Sequence, residues 1–138
     1  TENEINIFDR SWYGRVLVER VEGFADKAEW QRAYDEINRF EADLCRSQTV
    51  VIKFWLAISK DEQAKRFKAR EETPHKRFKI TEEDWRNREK WDAYLNAAAD
   101  MFAHTNHAYA PWYIIATDDK KTARIAVLDA ILKQLKAA

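Results

Sequence analysis

The sequence predicts an α/β fold, in which helices pack on a mostly parallel β-sheet. Three short apolar segments rich in β-branched and aromatic residues are typical of strands. Amphipathic helical segments separate these strands along the chain. This alternation favours parallel pairing, because separate blocks of strands and helices would favour other fold classes. The 138 residues are 46% hydrophobic, which is enough for one core and therefore for one domain.

The first strand and the first long helix are predicted in the first third of the chain. Residues 5–8 (INIF) form an apolar segment that ends at Asp9. Asp26 is placed as the N-cap of the helix, and Glu29 three residues later completes a capping box. The apolar side chains of this helix recur at spacings of three and four; they are Trp30, Ala33, Tyr34, Ile37, Phe40 and Leu44.

Two further strands and three further helices complete the prediction. The strands are residues 49–58 (TVVIKFWLAI) and 112–116 (WYIIA). Ser59 and Glu62 indicate a second capping box, whose helix runs to about Glu72 and is ended by Pro74. The next helix opens at residues 81–84, and its stripe consists of Trp91, Leu95, Ala98 and Phe102. The last helix begins near Lys120 and is expected to bury Val127, Leu128, Ile131 and Leu135.

Composition argues against several classes of protein. The chain has 24 basic and 24 acidic residues, so no overall charge points to a nucleic-acid or membrane partner. Cys45 is the only cysteine, which fits a reducing cytoplasm and an ordinary half-buried thiol. The longest apolar run, residues 108–116, is far shorter than a membrane helix. We therefore expect a soluble, cytoplasmic protein.

Residues 64–79 (AKRFKAREETPHKRFK) carry a local excess of positive charge. Arg66 and Arg70 are four residues apart and share a helix face, where their guanidinium groups match phosphate oxygens. Lys76 and Lys79 fall in a loop, from which they can reach a ligand. The alternative interpretation is an ordinary solvated surface helix.

Other site signatures are weak or excluded. Gly14 and Gly23 are the only glycines, so the 138 residues cannot contain the Gly-rich phosphate loop or a nucleophile elbow. Asp100, His104 and His107 are spaced four and three apart and could gather a metal ion. The dipole at a helix C-terminus explains the histidines equally well, and no zinc signature accompanies them.

Five blocks follow one another along the chain, namely DRSWYGR, VERVEGF, KFWLAISKDEQAKRFKAR, KRFKITEEDWRNREKWDAY and APWYIIATDDKKTAR. In this order they resemble the polyphosphate kinase 2 family. YGRVLVERVEGFA looks most like the polyphosphate:AMP phosphotransferase branch. The resemblance implies a three-layer, P-loop-kinase-like parallel sheet that is incomplete, because the phosphate-loop strand and the N-terminal half are absent. Residues 1–138 would then be the C-terminal part of one kinase domain, with a helical lid at about residues 60–90.

The resemblance also implies roles for individual residues. Asp9 corresponds to the Walker-B-type acid that holds Mg²⁺, and Arg10 to a catalytic phosphate clamp. Trp12 and Tyr13 are candidates for nucleotide binding. The implied phosphate- or polyphosphate-binding residues are Arg15, Arg66, Arg70, Lys76, Lys79, Arg86 and Arg88. From the residues alone, Asp9 could instead be a helix cap, and the two aromatic residues could pack the exit of the strand.

The implied activity is Mg²⁺-dependent transfer of phosphate between inorganic polyphosphate and a nucleotide, with AMP, ADP and GDP all open as acceptors. Without its phosphate loop, the 138-residue chain is expected to be inactive. Two alternatives remain, namely another nucleotide or nucleoside kinase of the same fold and a non-catalytic polyanion-binding module. Because the phosphate-loop strand is absent, we also expect strands 5–8 and 49–58 to pair directly, or a second chain in a homo-oligomer to cover the place of the missing strand.

Overall fold

A computed structural model describes residues 4–73, 75, 85 and 88–138. The elements are a 3-10 helix (Trp12–Val16), α1 (Val18–Val21), α2 (Lys27–Arg46), β1 (Lys53–Ala57), α3 (Lys60–Glu72), α4 (Trp91–Thr105), β2 (Trp112–Ala116) and α5 (Lys120–Ala137). The predicted α/β class is confirmed, with a small parallel sheet and helices. In the described ranges, no helix is both long and apolar enough to cross a membrane.

The sheet consists of β1 and β2, which run parallel with Lys53 opposite Trp112 and Ala57 opposite Ala116. Side chains alternate between its faces. Trp55 points to the face covered by α4, where its ring contacts the ring of Phe102 edge-on at 5.7 Å. On the other face, α5 packs on β2, and Gln134 donates a hydrogen bond to the hydroxyl of Tyr113. Helices therefore lie on both faces of the sheet.

The core lies between the 3-10 helix, α2 and α4; its buried members are Tyr13, Val16, Ala33, Tyr34, Ile37 and Met101. The predicted capping box of α2 is confirmed, since Asp26 and Glu29 each accept the other's backbone N–H. The predicted burial of Phe40 is wrong, because its side chain is 46% exposed and Glu41 is turned inward instead. Glu41 is buried there because its carboxylate binds Lys53 of β1.

The predicted first strand is wrong. Residues 4–8 contain no strand, and Ile7 is 91% exposed. A strand needs a neighbour for its backbone hydrogen bonds, and within the described part of the chain β1 pairs with β2 only. Direct pairing between residues 5–8 and the second strand is therefore also absent. The second strand itself is shorter than predicted, spanning Lys53–Ala57 rather than residues 49–58.

Several predicted apolar stripes are rotated in the structure. α5 begins at Lys120 as predicted, but it buries Ala123 and Ala130. Of its four predicted core residues, Leu128 and Leu135 are exposed, and Val127 and Ile131 are half-buried. In α4, Leu95 is exposed, whereas Ala98 is buried as predicted. Small residues face the sheet because they allow a close approach of helix and strand. The predicted helix start at residues 81–84 lies outside the described residues.

Candidate functional site

Asp9 and Arg10 form an exposed turn that leads into the 3-10 helix. Arg10 has a backbone φ of 63°, which lies in the left-handed region. Such a conformation costs a non-glycine residue about 1–2 kcal/mol and is concentrated at functional sites. Ser11, not Asp9, caps the 3-10 helix, since its hydroxyl accepts a hydrogen bond from the Tyr13 N–H. The carboxylate of Asp9 therefore has no capping role here.

Trp12 and Tyr13 occupy different environments. Trp12 is half-buried, and its ring contacts the rings of Phe8 and Phe40 edge-on at 5.5 and 5.0 Å. Tyr13 is only 4% exposed, and its ring lies edge-on to Trp112 at 4.7 Å. This burial favours a packing role for Tyr13 over stacking on a nucleotide base. For the half-buried Trp12, contact with the nucleotide stays a prediction.

A buried ion pair beneath these aromatic residues was missed from the sequence. The Nζ of Lys53 lies 2.9 Å from Oε1 of Glu41, and both side chains are sealed from solvent. Lys53 could have indicated such a pair, because a lysine within the apolar run VVIKFWLAI needs an acidic partner if the strand is buried. Its partner could not be chosen from spacing alone, because it lies on the preceding helix.

Arg15 lies in the last turn of the 3-10 helix, on its exposed side. Its Nη1 lies 3.7 Å from Oε1 of Glu19 and 3.8 Å from Oε2 of Glu29. At these distances and with half-exposed side chains, such ion pairs contribute little stability. The guanidinium can therefore exchange these partners for a phosphate group at small cost.

The N-terminus of α3 lies at the carboxyl edge of the sheet, because Ser59 follows β1 and Asp118 follows β2. The hydroxyl of Ser59 accepts from the Glu62 N–H, as predicted. The second half of the predicted box is wrong, because the Ser59 N–H donates to Asp118 at 3.0 Å instead. The Ser59 hydroxyl also donates to Asp118 at 2.8 Å. Hydrogen bonds from the backbone and side chain of Ser59, followed by the charge of Arg66, lower the pKa of Asp118.

Arg66 fixes the same junction from the other side. Its Nη2 donates to the carbonyl oxygens of Thr117 at 2.5 Å and Asp118 at 3.2 Å. Its Nε donates to Glu62 at 3.1 Å. Arg66 therefore attaches α3 to the segment after β2, at the edge where open α/β sheets bind ligands.

The remaining predicted cations are placed around α3 or cannot be described. Arg70 is half-buried in the last turn of α3. Arg88 donates to the carbonyl oxygen of Lys60 at 2.9 Å, so it lies beside the start of α3. Lys76, Lys79 and Arg86 lie outside the described residues. The structure thus brings Arg66 and Arg88 to the start of α3, and Asp9, Arg10 and Arg15 to the 3-10 helix and the turn before it.

Asp100, His104 and His107 each have a structural partner. Asp100 accepts from Arg20 at 2.8 Å, His104 stacks on Tyr34 at 4.5 Å, and Nε2 of His107 lies 2.9 Å from Asn38. Among the residues that the structure describes, no group of three His, Cys, Asp or Glu side chains could hold a metal ion.

Comparison with known proteins decides whether the resemblance found in the sequence is a true family relationship. A model of the polyphosphate kinase 2 family matches residues 1–138. The chain belongs to the polyphosphate kinase 2 family. Its DRSWYGR turn and the α3 region are therefore family segments, as their resemblance predicted.

Relatives within the family extend this assignment. The polyphosphate:AMP phosphotransferase of Acinetobacter johnsonii is 79% identical over 98% of this chain, which covers 28% of that protein. The ADP-polyphosphate phosphotransferase 2 of Rhizobium meliloti is 43% identical over 96% of the chain, covering 43% of that protein. A crystal structure assigned as polyphosphate kinase 2 from Pseudomonas aeruginosa matches 94% of the chain with a TM-score of 0.91 and 57% identity. The chain covers 28% of that structure.

Proposed function

We propose that this chain is part of a Mg²⁺-dependent phosphotransferase that moves phosphate between inorganic polyphosphate and AMP. The observation that carries this proposal is the 79% identity to a polyphosphate:AMP phosphotransferase over 98% of the chain. We propose AMP rather than ADP as the acceptor because a relative named for ADP is 43% identical to this chain, far below the relative named for AMP. Within this proposal, the 138 residues are the C-terminal part of one P-loop-kinase-like domain, and residues 60–90 contribute its lid.

Asp9 is the residue proposed to hold Mg²⁺. Magnesium is usually held by one or two carboxylates together with water and substrate phosphates, so it does not need a cluster of protein ligands. The carboxylate of Asp9 fits this requirement, because it is exposed beside the strained Arg10 and does not cap the 3-10 helix, which Ser11 caps. When bound, the ion would neutralise charge on the phosphate oxygens.

Cationic side chains supply the rest of the chemistry. Phosphoryl transfer requires positioning and positive charge around the transferred group, but no covalent nucleophile. Arg10 is proposed to clamp the transferred phosphate beside Asp9, with Arg15 behind it. Arg70 and Arg88, together with Lys76, Lys79 and Arg86, are proposed to follow the polyphosphate chain. Arg66 contributes mainly by holding α3 at the carboxyl edge of the sheet.

The cellular setting belongs to the same proposal. We place the enzyme in the cytoplasm as a homo-oligomer, with polyphosphate and nucleotide as its ligands and no nucleic-acid or membrane partner. A non-catalytic polyanion-binding module is the second candidate, because the two glycines of the chain cannot form a phosphate loop.

The test uses the full polypeptide that contains these residues. We expect it to convert AMP to ADP with polyphosphate and Mg²⁺, and Asp9→Asn to lower kcat by about 100-fold or more with the fold intact. Asp35→Asn, at an exposed position of α2, is the matched control and should keep full activity. Equal turnover of the Asp9 and Asp35 variants at saturating Mg²⁺ would remove Asp9 from the site. Polyphosphate binding without any turnover would favour the module.

A further inference from the structure

Glu41 of α2 and Lys53 of β1 form an ion pair that is almost completely closed to solvent. Their side chains are 0% and 5% exposed, and Oε1 lies 2.9 Å from Nζ. The ammonium group also donates to the hydroxyl of Tyr13 at 2.9 Å and to the carbonyl oxygen of Thr105 at 2.6 Å. Its three N–H groups therefore all have acceptors, as a buried cation requires.

The second carboxylate oxygen of Glu41 binds the start of the 3-10 helix. It accepts from the hydroxyl of Tyr13 at 2.7 Å and from Nε1 of Trp12 at 3.2 Å. Burial, followed by the neighbouring Glu41, raises the pKa of Tyr13 far above its usual range, so the phenol stays a donor. Burial lowers the pKa of Lys53, and the hydrogen bond and charge of Glu41 oppose that change.

Stability alone does not explain this pair. Desolvation of two buried charges offsets most of their attraction, and apolar residues of similar volume often stabilise a fold equally well. Apolar residues cannot provide directed acceptors, however. Glu41 accepts from both aromatic residues and from β1, so it determines where Trp12 and Tyr13 lie relative to the sheet.

Trp12 connects this pair to the Asp9–Arg10 turn. Its ring contacts Phe8, the residue before Asp9, at 5.5 Å. Phe8 and Trp12 thus bracket the turn from both ends. Because Trp12 is held by Glu41, the position of the turn depends on the ion pair.

We infer that Glu41 and Lys53 are positioning residues for phosphotransfer, which act through Trp12 and Tyr13 on the Asp9–Arg10 turn. This inference rests on the proposed function, because Asp9 and Arg10 are its reacting-site residues. Neither Glu41 nor Lys53 needs to contact a substrate. Loss of the pair should therefore reduce turnover more than substrate binding, since small displacements of catalytic groups act on the chemical step.

The experiment compares Glu41→Gln with the double variant Glu41→Gln/Lys53→Met in the full-length enzyme. The double variant removes both charges at similar volume, so it is expected to fold even if the single variant is unstable. We expect kcat to fall by about 10- to 100-fold well below the melting temperature, with both KM values within about twofold. Asp43→Asn, at an exposed position of α2 where the carboxylate pairs with Arg46, is the matched control and should retain wild-type kcat.

Hydrogen exchange provides a readout that is independent of activity. Faster exchange is expected at the amides of residues 12–16 in the double variant, with unchanged protection in α5, which has no bond to either residue of the pair among the described contacts. A folded double variant with wild-type kcat, or with no local change in exchange, would overturn the inference. Wild-type enzyme that lacks polyphosphate-dependent activity would refute the proposed function instead, while the exchange comparison would still test the coupling between the ion pair and the 3-10 helix.

Discussion

Arg10 combines a left-handed backbone with a charged side chain at an exposed turn. Only glycine adopts this backbone region without a steric cost, since it has no Cβ. An arginine at such a position therefore lowers the stability of the fold through its backbone, whatever its guanidinium group binds. These two effects can be separated by two substitutions that both remove the charge.

At Arg10 we predict that two substitutions differ in stability but not in activity. Arg10→Gly and Arg10→Ala lose the same side-chain interactions, so their difference reports the backbone strain. Relief of about 1 kcal/mol should make the glycine variant melt about 3–6 °C above the alanine variant. Both variants should lose phosphotransfer. Thermal denaturation and a coupled ADP assay measure the two effects, and a glycine variant that melts below the alanine variant would contradict the strain argument.

Local signals explain which elements could be predicted from the sequence. The capping box of Asp26 and Glu29 and the strand at residues 112–116 depend on neighbouring residues, and both predictions are confirmed. The strand predicted at residues 5–8 was wrong because an apolar segment becomes a strand only when another strand pairs with it. The burial of Glu41 could not be predicted for a similar reason, because it depends on an ion pair with Lys53, which lies on another element.

The junction between α3 and the sheet predicts a pH dependence. The pKa of Asp118 is lowered below its ordinary value of 3.8, mainly by hydrogen bonds from Ser59. A lowered carboxyl pKa stabilises the fold above the unfolded-state value, and this contribution disappears as the pH falls through the folded-state value. We therefore expect Asp118→Asn to lower the melting temperature at pH 7; the difference from wild type should begin to shrink near pH 3.8 and vanish only at a pH below the lowered folded-state value. Equal differences at both pH values would show that Asp118 acts without its charge.

Arg70 gives an electrostatic test of α3 that does not disturb its attachment. Arg66→Ala would also break the bonds to Thr117 and Asp118, so it mixes stability with binding. Arg70→Ala should weaken polyphosphate binding at low salt and reduce the slope of log K against log salt by about 0.7–0.9, because one counterion fewer is released. Lys68→Ala, on the opposite side of the same helix, is the control. Identical salt slopes for the two variants would indicate a general charge effect.

At the scale of the whole molecule, the described residues leave much apolar surface uncovered. Leu56 of β1 and Leu128 of α5 are 61% and 60% exposed, although both lie beside the same groove. Within the described residues, β1 pairs along one edge only. The chain spans 28% of the Acinetobacter relative, and the remainder of that relative provides further residues with which such surfaces could pack.

The 138-residue chain alone should therefore self-associate. Burial of apolar surface contributes about 25 cal/mol per Å², and an unpaired strand edge offers backbone groups to a second chain. With equal numbers of basic and acidic residues, net repulsion between copies is absent. We expect concentration-dependent dimers or larger species in sedimentation velocity. Leu128→Glu should shift them towards monomer, whereas Lys133→Gln, with the same change in charge on the same helix, should not. A wild-type chain that sediments as a monomer at every concentration would show that the exposed groove and strand edge do not drive association.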